Sequence, residues 1–245
     1  MSVKLYSLRV SHPSVAAHLM LERKRISHRV VNIQPGLHPV VVRSAGFPGI
    51  TVPALELDGR RIQGSLAISR ALDEVAPDPP LFPPDAEQRR AVEEAEAWGE
   101  GRLQAVPRRM YRWGLSRNRE LRRRLIEVSG MPAPDLTASL NGPLARMFAA
   151  MIGADDDAVR RDMGELPGKL DHVDALIEDR VIGTGEPNAA DFQIAATVRV
   201  MLSFHDLRPM IEGRAAADLA LAVVPDWPDE VPSFLPPEWL PLSPV

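Results

Sequence analysis

The sequence predicts a small α/β domain followed by an all-helical one. Three observations predict it. Residues 3–76 alternate short apolar runs with helical patterns. The stretch "PDPPLFPPD" (77–85), five prolines in nine residues, interrupts them. Beyond it only helical periodicity recurs.

The elements follow in order. "VKLYSLRV" (3–10) reads as a strand, and the apolar spacing of Ala16, Ala17, Leu19, Met20 and Leu21 predicts a helix over Pro13–Ile26. "HRVVNI" (28–33) is a second strand, closed by Pro35-Gly36, and "HPVVVRSAG" (38–46) a short helix despite its three valines. "VPALELD" (52–58) alternates apolar and polar residues; Asp58-Gly59 is a hairpin turn that brings "RRIQ" (60–63) back alongside it. Ser65 then opens an amphipathic helix, "SLAISRALDEVA". We divide the chain into an α/β domain (1–77), a proline-rich linker (78–85), a helical domain (86–224) and a proline-rich tail (225–245). Proline lacks an amide and fits neither helix interiors nor central strands, which is why the linker and tail fall outside the regular elements.

In the helical part, "AEQRRAVEEAEAWGEGRLQAV" (86–106) reads as one long helix, with further helices over 119–128, 135–152 and 155–180. In "EPNAADFQIAATVRVMLSF" (186–204), Asn188 can cap a helix while Asp191 reaches back to the Asn188 amide, a capping box. That helix is apolar nearly all round, so it belongs in the middle of a bundle. The tail's seven prolines exclude a helix, while Trp227, Phe234 and Trp239 predict that it packs on the body, over a cleft or an apolar face.

Composition excludes several functions. The 29 basic and 33 acidic residues give a net charge of −4, which argues against a nucleic-acid partner. No apolar run approaches the ~20 residues of a membrane span, and "MSVKLYSL" lacks the features of a secretory signal, so a cytoplasmic location is expected. There is no cysteine, hence no protein thiol nucleophile or zinc–thiolate site. The six histidines show no metal-ligand spacing, so no metal is expected. Chemistry here must use hydroxyls, carboxylates, guanidinium groups or a reactant brought from outside.

Three motifs carry a family resemblance. They are "LYSLRVSHPSVAAHLMLERKRI", "TVPALELDGRRIQGSLAISRAL" and the capping box in "GTGEPNAADF". Together they resemble the cytosolic glutathione S-transferases, in particular bacterial members with a serine-type site. The resemblance implies a thioredoxin-like N-terminal domain, an all-α C-terminal domain, a homodimer, and glutathione as co-substrate in detoxification. It implies a cis Val52–Pro53 bond, with the Val52 main chain pairing with the cysteinyl part of glutathione. Ser65, at a helix start, would receive the γ-glutamyl carboxylate, or else simply cap the helix. Gly64 departs from the family's usual acid and Thr51 from its frequent lysine; Gln63 is a partial substitute for the missing acid.

The same resemblance places Ser11 at the catalytic position, with Tyr6 and Ser14 as alternatives and a plain capping role also open for both serines. A hydroxyl there would hydrogen-bond the glutathione sulfur and favour thiolate over thiol. His12 is read as a surface residue. The acceptor cleft is expected along the long helix, walled by Met110, Tyr111 and Trp113, beside eight arginines between 108 and 124 opposed in sequence by Glu120 alone. That cluster reads either as a solvated basic face or as a cleft for anionic or polar acceptors. The expected function is activation of the glutathione thiol for attack on a small electrophile. Alternatives are a non-catalytic binding or assembly protein of this family, or a transferase using another small thiol.

Overall fold

The computed structural model describes residues 1–241. Strand β1 (Val3–Ser7) lies inside a four-stranded sheet of order β2-β1-β3-β4. It pairs in parallel with β2 (Arg29–Asn32) and antiparallel with β3 (Ala54–Leu57), which forms a hairpin with β4 (Arg60–Gln63). Asp58 and Gly59 have φ of 47° and 83°, the left-handed pair that a two-residue hairpin turn requires. Alternation along β1 sends Val3, Leu5 and Ser7 to one face and Lys4 and Tyr6 to the other.

On the first face, α1 (His12–Arg23) and α3 (Ser65–Val75) bury Ala16, Ala17, Met20, Leu21, Ile68 and Leu72 against Leu5 and Leu55. Fully burying one of the methionine, leucine or isoleucine side chains among them contributes about 1.5–3 kcal/mol. On the second face, the short α2 (His38–Ser44) encloses a separate cluster of Ile33, Val42, Phe47 and Ala54, and Tyr6 joins it.

The proline-rich segment is not a free tether. Leu81 and Phe82 are buried, and the guanidinium groups of Arg70 and Arg89 lie 4.6 and 5.0 Å from the Phe82 ring centre. Lys24, its side chain fully covered, donates to Asp73 and to the Ala76 carbonyl, each at 2.7 Å. Asp73 in turn accepts the Leu81 amide at 2.8 Å. A segment with few amides is cheap to bury because it leaves few donors unpaired.

In the helical part, α4 (Ala86–Trp98), capped by the Asp85 carboxylate, runs through a π-helical turn, Gly99–Leu103, into α5 (Ala105–Arg117). The sequence reading of one regular helix misses this turn. Its cue is Pro107, which has no amide to donate to the preceding turn. There follow α6 (Arg119–Val128), α7 (Pro134–Leu140), α8 (Gly142–Ala150) and α9 (Asp156–Glu178). The helix expected over 135–152 is thus broken at Asn141-Gly142. Next come α10 (Ala189–Leu202), α11 (Arg208–Ile211) and α12 (Ala215–Val223).

Helix α10 is buried along its whole length except at Arg199 and touches α1, α4 and α12, so one core runs through both halves. Its capping box is present: the Asn188 side chain accepts from Asp191 N at 3.1 Å, and the Asp191 carboxylate accepts from Asn188 N at 2.9 Å. The tail lies along the outer side of α5 and α10. Val231 bridges to the α10 end, Asp229 grips Arg124 at 2.6 Å, and Trp113 stacks with Phe234 and meets Trp239. Its described part patches an apolar face; residues 242–245 lie outside the described residues.

Candidate active site between the two domains

A cavity of about 620 Å³ opens where the carboxyl end of β1, the start of α1, the loop before β3 and the start of α3 face α5, α6 and α8. Its thioredoxin-like wall includes Ser11, His12, Thr51, Val52, Pro53, Gly64 and Ser65. The Val52–Pro53 bond is cis.

Ser11 stands at the N-cap of α1, half-buried, with extended backbone and no side-chain capping bond. Ser14 Oγ donates to Ser11 Oγ at 3.1 Å, which leaves the Ser11 hydroxyl its own proton to donate. Ser14 is itself buried and does not reach the cavity wall. Neither serine caps the helix with its hydroxyl. Pro13 removes one amide from this turn, so the His12 and Ser14 amides are its remaining donors. Tyr6 is excluded by strand alternation: its ring packs edge-on against Phe47, centroids 5.4 Å apart, on the far face of the sheet.

Gly64, with φ of 92°, occupies the N-cap of α3, and Ser65 is the first helical residue instead of the cap. That backbone conformation suits glycine. The Ser65 hydroxyl is buried at 1% exposure, lines the cavity and has no hydrogen-bond partner. An unpaired buried hydroxyl is costly, and the hydrogen-bonding capacity of this one is unspent at the cavity edge. Gln63 does not take the place of the missing acid. Its Oε1 accepts from Gly49 N and its Nε2 donates to the Thr51 carbonyl, both at 2.7 Å, so it braces the loop that carries Thr51–Pro53.

The helical wall corrects the expected acceptor residues. Tyr111 lines the cavity beside Phe204, but Met110 and Trp113 do not. Helical spacing turns both away: Met110 is fully buried, and the Trp113 indole donates to Asp156 at 2.8 Å under the tail. Burial holds the Tyr111 phenol well above its ordinary range, so it stays protonated.

The eight arginines divide cleanly. Arg109, Arg117, Arg119, Arg123 and Arg124 pair with Asp162, Asp156, Asp135, Glu120 and Asp229 at 2.5–3.0 Å. Arg108, Arg112 and Arg122 have no carboxylate partner among the described residues, and all three line the cavity. Glu100, from the π-helical turn, is the one acid in that lining.

Two histidines respond to this charge. His12 is buried, not superficial, and its pKa is lowered to about 3, first by burial and then by Arg108. His38 is lowered to about 4, first by burial and then by Arg112. Both are neutral imidazoles near neutral pH. Sequence reasoning missed His38 and Phe148 as cavity residues and did not separate Arg108, Arg112 and Arg122 from the rest of the arginine cluster; the available signal for two of them was the spacing of Gln104, Arg108 and Arg112, four residues apart on one helix face. Among the described residues, no three His, Asp or Glu side chains group as metal ligands would.

A thioredoxin-like domain joined to a helical bundle, with a polar cavity between them, defines a two-domain fold of an α/β half and an all-α half. Residues 5–80 match the glutathione S-transferase N-terminal domain. That domain belongs to the glutathione S-transferase family, and the chain as a whole has the glutathione S-transferase fold. Solved structures agree on the fold. A glutathione S-transferase from Rhodospirillum rubrum is 20% identical, with 91% of this chain and 92% of that one aligned and a TM-score of 0.56. FzlA from C. crescentus is also 20% identical, over 95% and 96% of the two chains, with a TM-score of 0.59. A maleylacetoacetate isomerase from Anaeromyxobacter dehalogenans, solved with glutathione in its active site, is 19% identical over 91% and 89%, with a TM-score of 0.53. No curated protein sequence matches the chain.

Proposed function

We propose that the protein binds glutathione at the α1–α3 edge of the cavity and activates its thiol for attack on a small electrophile. One observation carries the reading. The Ser11 hydroxyl, the Thr51–Pro53 loop and the unpartnered Ser65 hydroxyl converge on one cavity in a domain of the glutathione S-transferase family.

The residues fit a tripeptide thiol. The edge at Val52 offers main-chain pairing, Ser65 offers a hydroxyl and first-turn amides to a carboxylate, and Ser11 offers a donor to sulfur. A thiol of ordinary pKa ~8.5 is mostly protonated near neutral pH. A donated hydrogen bond and the positive end of α1 both stabilise the anion, and each pKa unit corresponds to about 1.4 kcal/mol. One charge-assisted hydrogen bond, worth roughly 1.5–3 kcal/mol, supplies one to two units. The sulfur lone pair then forms a bond to the electrophilic carbon, and either a leaving group departs with its electron pair or the adduct takes up a proton. No protein thiol is needed.

A different small thiol is the second reading. Gly64 offers no side chain and Gln63 is committed to the loop, so this wall has fewer groups for an amino-acid headgroup than the family pattern implies. A cytoplasmic homodimer acting in detoxification belongs to the first reading and rests on the family likeness. Retention on immobilised glutathione, together with turnover of an aryl halide, tests it. Turnover with another cellular thiol and none with glutathione selects the second reading. Binding of neither thiol leaves a non-catalytic member of the family.

A further inference from the structure

We propose that the electrophile this cavity accepts is a small organic carboxylate with an apolar body, its anion held by Arg112 with Arg108 and Arg122. The inference rests on the thiol-transfer reading and names the acceptor class.

The argument begins with pairing. Five of the eight arginines on α5 and α6 meet a carboxylate, drawn from α6, α7, α9 and the tail. A merely solvated basic face would show no pattern in which ones are paired. Here the three without an acid are the three in the cavity wall. Their commitments differ. Arg122 spends Nε and Nη1 on the Ala138 and Leu115 carbonyls at 3.0 and 2.7 Å. Arg108 donates to the Gln104 side chain. Arg112 makes no hydrogen bond to a described residue; it lies over the Phe148 ring, 4.7 Å from the centroid. Stacking holds a guanidinium in place while leaving its edge donors free for a planar, bidentate acceptor.

Arg108 and Arg112 stand four residues apart on one helix face, where like charges repel. Burial first, and these arginines second, hold the imidazoles of His12 and His38 neutral, so neither adds charge of its own near neutral pH. Glu100 makes no ion pair with either arginine, though its charge acts on Arg108 and offsets part of it. The cavity thus keeps a net positive charge, three guanidinium groups against one carboxylate, beside apolar walls from Leu115, Leu144, Phe148, Ile152 and Phe204. A flat or branched apolar body with one carboxylate satisfies both halves of that surface. A purely apolar electrophile leaves the guanidinium groups facing it unpaired.

The full-length protein is titrated calorimetrically with trans-cinnamate and with its uncharged amide, with no thiol present. Cinnamate should bind about 10- to 100-fold more tightly, and Arg112→Gln should remove most of that preference. Arg112→Lys should restore part of it, and Arg123→Gln, on the outer face, should keep it. With glutathione added, a chlorodinitrobenzoate should be preferred over chlorodinitrobenzene, and Arg112→Gln should lower that preference at least tenfold. Equal affinity for acid and amide in the unmodified protein overturns the inference. So does loss of glutathione affinity in Arg112→Gln without cinnamate binding, which assigns the arginines to the thiol. Cinnamate selectivity with no thiol turnover instead supports the carboxylate site and sinks the transferase reading, so the two failures are distinct.

Discussion

Replacing Ser11 by alanine removes a single hydroxyl, and the consequence can be worked out as a function of pH. In the structure that hydroxyl accepts from Ser14, makes no capping bond and lines the cavity. If it donates to the sulfur, its loss removes roughly 1.5–3 kcal/mol from the thiolate form alone, raising the bound thiol's pKa by about one to two units. Below the unmodified protein's lower pKa the thiolate fraction falls about 10- to 100-fold; between the two pKa values the deficit shrinks, and well above the new one both proteins hold ionised thiol. Ser11→Ala should therefore lose kcat/KM most at low pH and recover toward the unmodified rate as pH rises, with KM for glutathione changed less than kcat. The assay is the pH profile of kcat/KM, paired with the ultraviolet absorbance of bound thiolate. A loss of the same size at every pH refutes the reasoning, because it describes misplacement and not lost anion stabilisation. Unchanged rates refute it outright.

Gln63→Ala should loosen the loop carrying Thr51–Pro53, since both amide ends of Gln63 are spent on it, and raise KM for glutathione severalfold with kcat nearly unchanged; steady-state kinetics checks the split. Asn188→Ala removes the α10 cap and should destabilise the protein by about 1 kcal/mol in urea unfolding, without altering thiol binding. For pH, the folded pKa values of His12 and His38 lie at about 3 and about 4, below the ordinary 6.5. The unfolded chain therefore takes up protons first as pH falls. The stability that both imidazoles contribute above pH 6.5 should be lost progressively on acidification toward pH 4. At about pH 5 the loss is on the order of 1–2 kcal/mol per histidine, and His38→Gln should show a correspondingly smaller change between neutral and acid urea melts.

Much of the fold is legible because it is written locally. The hairpin at Asp58-Gly59, the capping box at Asn188 and Asp191, and the uninterrupted apolar character of 189–202 each depend on residues a few positions apart. The misreadings share the opposite property. Tyr6 is a candidate until the sheet shows which side it faces, and Ser65 looks like a cap until Gly64, with its positive φ, takes that position. Met110 and Trp113 are apolar neighbours of Tyr111 in sequence, yet on a helix they lie about 100–200° away from it. Met110 and Trp113 share a face with each other, and that face is turned away from the cavity.

The arginine cluster shows most clearly why a site is harder to read than a fold. Along the chain, Glu120 alone opposes eight basic residues, and all eight look alike. In space, Asp135, Asp156, Asp162 and Asp229 arrive from α7, α9 and the tail, up to 105 residues away, and neutralise four of them. What distinguishes Arg108, Arg112 and Arg122 is therefore not their own neighbourhood in the sequence but the acids that packing brings to the other five and withholds from these three. That selective pairing ties the scaffold to the chemistry: the tail and α9 bury apolar surface and, in the same contacts, remove positive charge from the outer face. The charge that remains unpaired stands in the cavity opposite the Ser11 hydroxyl wall, where an acceptor would have to lie for a sulfur to reach it.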